Sequence, residues 1–326
     1  MDAMVAETAA RVLADHDGDA EGLWAALAET GLTAAATPER LGGIGLPPAD
    51  LFALMRMTGG QGAAVPLAET LLAGRWLGAA GRAAEGPLTV ALGGRIEGGR
   101  FSGTLRAVPY ADRAERVLAV AAGGLALVPL SAARATPAQT PGEDGAADLA
   151  FDGAEAEVVA APNWLTPAQA RAELALARAA QMAGAMEAAL ELTLAHVGAR
   201  EQFGRPLAAF QAIQHMLAEM AGEAAAAGAA AEAAAETAAE DGPADWRACA
   251  AAKIRAGEAA ERVAAHAHQS HGAIGYTYDY GLRRLSRALW RWRDEAGDEA
   301  EWAVALGRAA AEDPAPLSLQ VLGPAG

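Results

Sequence analysis

Cysteine is nearly missing from this sequence. The single Cys249 leaves no intrachain disulfide to form, which fits a reducing compartment, and its place in an alanine-rich helical pattern makes it a packed thiol. Lysine is as scarce: Lys253 stands alone, and the pattern around it suggests no function. Positive charge is short overall, with 25 Lys+Arg against 41 Asp+Glu, a formal −16. Such a surface repels phosphate backbones and anionic headgroups, so nucleic acid and membrane are excluded as expected partners. The alanine runs are broken by Glu and Gly, and none is long and apolar enough to span a bilayer. "MDAMVAETAARVLADHDGD" is acidic and has no basic region followed by an apolar run, so neither a secretory signal nor a transit peptide is expected. These absences point to a soluble, cytoplasmic protein.

What is present divides by period. At 326 residues, two or three structural units are expected. Over 1–85 the pattern is helical: "PPADLFALMRMTGG" and "PLAETLLAGRWLGAAG" carry Pro at their starts and Gly at their ends. "ERLGGIGLPP" has the glycines of a phosphate loop, but no strand precedes it and Pro47-Pro48 follow, so it reads as a tight connection. Over 86–162 the period falls to two in short apolar runs, which predicts a compact antiparallel β unit with "ARATPAQTPGEDGAAD" as its surface loop. Over 163–312 the helical pattern returns, with segments near 166–199, 207–240, 243–271, 279–293 and 300–311. Their short connections predict an antiparallel bundle. A poorly ordered tail is expected over 313–326.

Two clusters interrupt this bland pattern. In "AREQFGRPLAAFQAIQHMLAEM", Gly204 suits a left-handed helix cap and Pro206 the start of the next helix, while Leu207, Phe210, Ile213, Leu217 and Met220 recur as a buried stripe. Arg200, Gln202 and Phe203 gather at the break. An Arg suits a pyrophosphate and a Phe suits stacking on a flat ring, so the corner is either a binding site or a capped turn. In "HAHQSHGAIGYTYDYGLRRLSR", only His268 and His271 of the three histidines share a face, and no acid or Cys completes a metal site. The simpler reading is a helix end whose glycines admit a close backbone or ligand.

Together, "REQFGRPLAAFQAIQHMLAEM" and "QSHGAIGYTYDYGLRRLSRAL" resemble the C-terminal bundle of the acyl-CoA dehydrogenase family, and "TPERLGGIGLPPADL" and "VPLAETLLAGRWL" resemble its N-terminal helices. The resemblance implies a mainly α fold with a small β middle domain: helical N-terminal domain, β domain and C-terminal four-helix bundle. It also implies FAD at a subunit interface and α,β-dehydrogenation of an acyl-CoA, an oxidoreductase chemistry on CH–CH. The cofactor-facing positions it implies are Arg200, Gln202, Phe203, Leu207, Phe210, Gln211, Gln269 and Gly272, reaching the cofactor of a neighbouring subunit.

The departures matter as much. The two positions where family members carry the catalytic carboxylate fall on Ala296 and Leu174, neither of them an acid. Glu295 and Glu173 each lie one residue away and are the candidate bases, against the plainer reading of solvated helix carboxylates. The middle section is shorter than usual for the family and lacks its flavin-contacting Thr/Ser and Trp segments. The expected protein is therefore a short family member. It would act on an acyl-CoA, from fatty acid or steroid breakdown, as a homodimer or as a heterotetramer with a longer acyl-CoA dehydrogenase-like subunit, and pass electrons to an electron-transfer flavoprotein or similar acceptor. The alternative is a non-catalytic helical scaffold within such a complex.

Overall fold

The computed structural model describes residues 1–16, 19–62, 65–142 and 144–312; the expected tail, 313–326, lies outside them. Four helices open the chain: α1 (Ala3–Asp15), α2 (Ala20–Glu29), α3 (Pro48–Gly59) and α4 (Leu67–Ala79). Asp2 and Asp19 cap the first two by accepting from free amides of the opening turn. The "ERLGGIGLPP" stretch is a tight connection: a 3-10 turn over Glu39–Leu41 leads to Gly42 at φ 86°. At Gly43 a Cβ would lie 2.0 Å from the Thr37 carbonyl oxygen, so only glycine lets the chain pass there.

Seven strands follow: β1 (Leu88–Glu97), β2 (Arg100–Val108), β3 (Arg116–Ala122), β4 (Gly124–Pro129), β5 (Arg134–Pro137), β6 (Ala147–Glu155) and β7 (Glu157–Val159). They form one sheet in the order β5-β6-β2-β1-β3-β4-β7. The sheet is mixed, which corrects the antiparallel expectation. After the β1–β2 hairpin the chain crosses to the other side of β1, and β3 runs parallel to β1 with Leu88 opposite Arg116. Alternation along β3 serves two cores. Leu118 and Val120 face the helices, while Val117, Ala119 and Ala121 join Phe101 and Phe151 in a smaller core. The expected surface loop is also corrected: Arg134–Pro137 pairs with β6 as an edge strand, and Asp144 is buried.

The remainder is helical: α5 (Pro167–Ala199), α6 (Gln211–Glu236), α7 (Trp246–His271), α8 (Gly281–Asp294) and α9 (Glu299–Glu312). Between α5 and α6 lies a two-stranded hairpin of β8 (Glu201–Gln202) and β9 (Arg205–Pro206). Helix α5 is the axis of the molecule, packed against α3, α6, α7 and α8. Its crossing with α3 is a backbone contact: a Cβ on Gly184 would lie 1.8 Å from the Arg56 carbonyl oxygen, and one on Gly59 would lie 2.0 Å from that of Gln181. Among the described residues, no helix is long and apolar enough to cross a membrane.

Candidate functional site

Two places in the molecule carry polar side chains that packing alone does not require. They lie at opposite ends of α5.

The first is a cavity of about 520 Å³ between the sheet and the bundle, lined by Val90 to Leu92, Val108, Leu174, Arg178, Arg291 and the 294–296 segment. Leu174 and Ala296 both line it, so the two positions singled out in the sequence converge on one cavity. Ala296 has φ 59° and Gly297 φ 101°; this left-handed pair ends α8. The turn is held from behind. The Ala296 carbonyl accepts from Arg171 Nε and Trp302 Nε1, both at 3.1 Å, while Lys253 Nζ donates to Arg293 O at 2.6 Å and Gly297 O at 2.8 Å. Burial pushes the Lys253 amine down to about 8.

The floor of the cavity is ionic. Arg178 donates through Nε to Glu295 Oε2 at 2.5 Å, through Nη2 to Glu69 Oε1 at 2.5 Å, and through Nη1 to Gln181 Oε1 at 2.6 Å. Arg291 lies 3.1 Å from Glu295 Oε1 and 3.0 Å from Asp144 Oδ2 as ion pairs, and donates to the Tyr110 hydroxyl at 3.3 Å. Burial opposes the charge on Arg178, but Glu295 and Glu69 outweigh it, and its pKa is raised. The same contest ends the same way at Arg291, where Tyr110, Glu295 and Asp144 oppose burial. Burial raises Asp144, with Arg291 pulling against it.

Neither candidate base is a solvated carboxylate, which corrects that reading. Glu173 is fully buried and turned about 100° around α5 from its neighbour Leu174, away from the cavity. It accepts from Arg75 Nε at 3.2 Å, Trp76 Nε1 at 2.7 Å and the Ala244 amide at 3.2 Å, while Arg75 also holds the Ala239 and Gly242 carbonyls. Glu295 does line the cavity, 20% exposed, with each oxygen on a guanidinium. Sequence reasoning missed Glu69, Tyr110, Asp144, Arg178 and Arg291. One signal was readable: Arg178 is a lone charge inside the apolar run "LALARAAQMAG", where a charge must be paired.

The second place is the far end of the bundle. Phe203 (φ 53°) and Gly204 (φ 77°) are the central residues of a tight turn between β8 and β9, the pattern of a type I′ hairpin. The break is thus a hairpin rather than a left-handed helix cap. After it, Leu207–Ala209 form a 3-10 turn and α6 begins only at Gln211. Phe203 is 92% exposed, with its ring 6.2 Å from that of Phe210, which Arg205 covers at 4.2 Å. Arg200, Gln202 and Gln211 are exposed. The expected buried stripe is corrected too: Met220 is buried, but Leu207 and Phe210, in the turn before α6, and Ile213 and Leu217 in its first turns are only half-buried.

Gln269 and Gly272, both exposed, close α7 beside a cavity of about 520 Å³ shared with Glu261, His268, Tyr276 and Trp290. His268 stacks on Tyr276 at 4.2 Å, and burial lowers its pKa. The ends of α5 and α7 meet where His196 stacks on His271 at 4.4 Å, so the two sequence clusters share one end of the bundle. That end is about 35 Å along α5 from Leu174.

Comparison with known proteins places this geometry. Residues 169–299 match the model of the acyl-CoA dehydrogenase C-terminal domain. The chain is 30% identical over 296 residues to acyl-CoA dehydrogenase IpdE2 of Mycobacterium tuberculosis (strain ATCC 25618 / H37Rv), spanning 86% of this chain and 87% of that one. The chain belongs to the acyl-CoA dehydrogenase family. Acyl-CoA dehydrogenase FadE28 of the same organism is 34% identical over 227 residues, 60% of this chain and 66% of that one. Among solved family members, a variant of the Tcur3481-Tcur3483 steroid ACAD superposes with TM-score 0.84 at 30% identity, covering 94% of this chain and 96% of that one. The ChsE4-ChsE5 complex from Mycobacterium tuberculosis superposes with TM-score 0.81 at 25% identity, covering 97% and 99%. Acyl-CoA dehydrogenases are flavin-dependent oxidoreductases acting on CH–CH bonds.

Proposed function

We propose that this chain is one subunit of an FAD-dependent acyl-CoA dehydrogenase and works with a longer family member that supplies the base and most flavin-ring contacts. One observation carries the reading: Arg200, Gln202, Phe203, Gln269 and Gly272 lie at the opposite end of an unbroken 33-residue helix from the chain's own cavity. Residues that far from Leu174 and Ala296 suit a cofactor lodged in another subunit. The residues present there fit such a group. Arg200 offers a guanidinium for a pyrophosphate, the exposed Phe203 ring a face for stacking, and Gln202, Gln211 and Gln269 side-chain amides. Gly272, at φ 65° with open space where a Cβ would stand, lets a ligand approach the backbone. Leu207 and Phe210, half-buried, form the apolar floor beside them.

FAD bound there supplies the hydride acceptor for desaturation of the acyl-CoA, and an electron-transfer flavoprotein or a similar carrier takes the electrons onward. This chain's residues bind and orient that cofactor. A bulky acyl-CoA, such as one derived from a steroid, is the proposed substrate class, in keeping with the steroid ACAD it resembles. The proposed assembly is a heterotetramer with the longer subunit. The test is purification of the chain alone and together with a co-encoded family member, followed by flavin absorbance and dye reduction with an acyl-CoA. Flavin and turnover are expected only in the pair, and Arg200→Ala is expected to release flavin from it. Stoichiometric FAD and full turnover in the chain alone would overturn the proposal.

A further inference from the structure

We propose that His196 and His271, stacked where the ends of α5 and α7 meet, are positioning residues that hold Arg200 to Phe203 and Gln269 to Gly272 together as one cofactor surface. The proposal rests on the reading of that surface as a flavin site, but the joint itself is a property of this chain.

Both halves of the surface are thinly anchored. Residues 198–205 are all exposed, so the half-buried His196 and the buried Val197 are the last side chains of α5 that packing covers before the hairpin. The hairpin hangs from that turn: the Arg200 amide donates to the His196 carbonyl at 2.9 Å, and the Leu207 amide donates to the Arg200 carbonyl at 2.8 Å. On the other side Gly272, Ala273 and Ile274 are exposed, and the buried residue next to them is His271, 6% exposed. Helix ends with few covered side chains open locally at little cost. A site spread over two such ends is ordered only if something ties them together.

The rings supply that tie. His196 lies over His271 with ring centroids 4.4 Å apart and planes 22° from parallel. His271 is held at both nitrogens. Its Nδ1 donates to the Ala267 carbonyl at 2.8 Å, so the neutral ring accepts at Nε2 from the Tyr280 hydroxyl at 3.0 Å. Tyr280, the residue before α8, meets His271 and His196 edge to face at 5.1 and 6.4 Å. One aromatic cluster thus joins three helices at the end that carries the cofactor surface.

The joint needs neutral imidazoles. The charged and titratable groups that face it are Arg200 after α5, His268 on α7 and Tyr280 before α8, and no carboxylate offsets a charge on either ring. Burial lowers the pKa of both histidines. Arg200 adds to the fall at His196; at His271 the Ala267 carbonyl opposes it, while His196 and His268 press with burial. Protons taken up below about pH 6.5 therefore set like charges face to face beside Arg200 and work against the stack.

The experiment has two arms. In the full chain alone, hydrogen exchange is followed at the Arg200 and Gly272 amides, which close the last turns of α5 and α7. His196→Ala is expected to speed exchange about fivefold at both, and unchanged exchange at Gly272, on the other helix, refutes the joint. In the complex with the co-encoded family member, flavin affinity is titrated from pH 7.5 to 5. His196→Ala is expected to weaken binding about fivefold at pH 7.5. His196→Phe keeps a flat ring that takes no proton, so it should bind within about twofold of wild type and lose less affinity on acidification. Tyr280→Phe, which removes only the donor to His271 Nε2, should move both readouts the same way by about twofold, and serves if His196→Ala does not fold. A lower melting temperature with flavin affinity and pH profile as in wild type would make the stack structural only and defeat the positioning role. Flavin that ignores Arg200→Ala as well would sink the proposed function instead, and faster Gly272 exchange would still establish the joint.

Discussion

Arg75 and Glu173 meet in the interior with 4% and 0% of their side chains exposed, Nε to Oε2 at 3.2 Å. Trp76 and the Ala244 amide complete the shell around the carboxylate, and Arg75 ties down the connection between α6 and α7. Removing one member of such a pair leaves a buried charge uncompensated, at a cost of about 3–5 kcal/mol. Glu173→Ala should lower the urea midpoint accordingly. A variant with wild-type stability and lost turnover would instead make Glu173 a catalytic group.

Lys253 makes stability depend on pH in an identifiable direction. Its amine titrates near 8 when folded and near 10.5 when unfolded, so between these values the unfolded chain holds the extra proton. Stability should therefore rise with pH across that window, by roughly 3 kcal/mol in total from this group, and below pH 8 the cost of the buried charge is felt in full. Other groups titrate there as well, so the measurement is the difference between wild type and Lys253→Met in denaturant melts from pH 7 to 10.5. A constant difference contradicts the assignment.

Phe203 is a non-glycine residue at φ 53° whose side chain is almost wholly exposed. The left-handed conformation costs roughly 1–2 kcal/mol for such a residue, and glycine removes that strain while losing up to about 1 kcal/mol in the unfolded chain. Phe203→Gly should leave the chain's melting temperature unchanged or slightly raised, yet weaken flavin retention in the complex. A drop in stability with unchanged flavin would mean the ring serves only the hairpin.

Gly184 faces the Arg56 carbonyl with no room for a methyl group. Gly184→Ala must push α3 away from α5, and overpacking of this kind costs about 1–3 kcal/mol or more. Chemical denaturation reads the loss, and Gly198→Ala, on the same helix with open space around it, is the matched control.

Cys249 is buried, and burial raises its thiol pKa. A thiol reagent should modify the native chain only through unfolding, so the rate should follow global stability in urea. Fast labelling of the native chain would contradict the packed position.

The helices of this fold were legible because their signals are local. Pro and Gly mark the ends of α3 and α4, and the apolar period carries α5 from Pro167 to Ala199 within a residue of the expected bounds. The sheet was legible as strands but not as a topology, since nothing between Val108 and Arg116 states on which side of β1 the chain returns. The site divides the same way. Arg200 to Phe203 stood out because polar and aromatic residues interrupt a bland pattern. The Arg178–Glu295–Arg291 cluster did not, because Arg178 meets its acids Glu69 and Glu295 from α4 and the end of α8, and Arg291 meets Asp144 from the 138–146 connection, all far apart in sequence. A carboxylate's partner is a property of the folded chain, so Glu173 and Glu295 looked solvated until their arginines were placed.

The lone lysine has one more consequence. Its Nζ lies between two backbone carbonyls inside the protein, so this chain offers no lysine side chain at its surface. Acylating reagents, amine cross-linkers and enzymes that modify lysine would therefore find their lysine targets on other proteins. In a mixed assembly, every lysine-to-lysine link recovered from the native state would report on the companion chain, and cross-links to this one would have to be made through other groups, such as its exposed carboxylates.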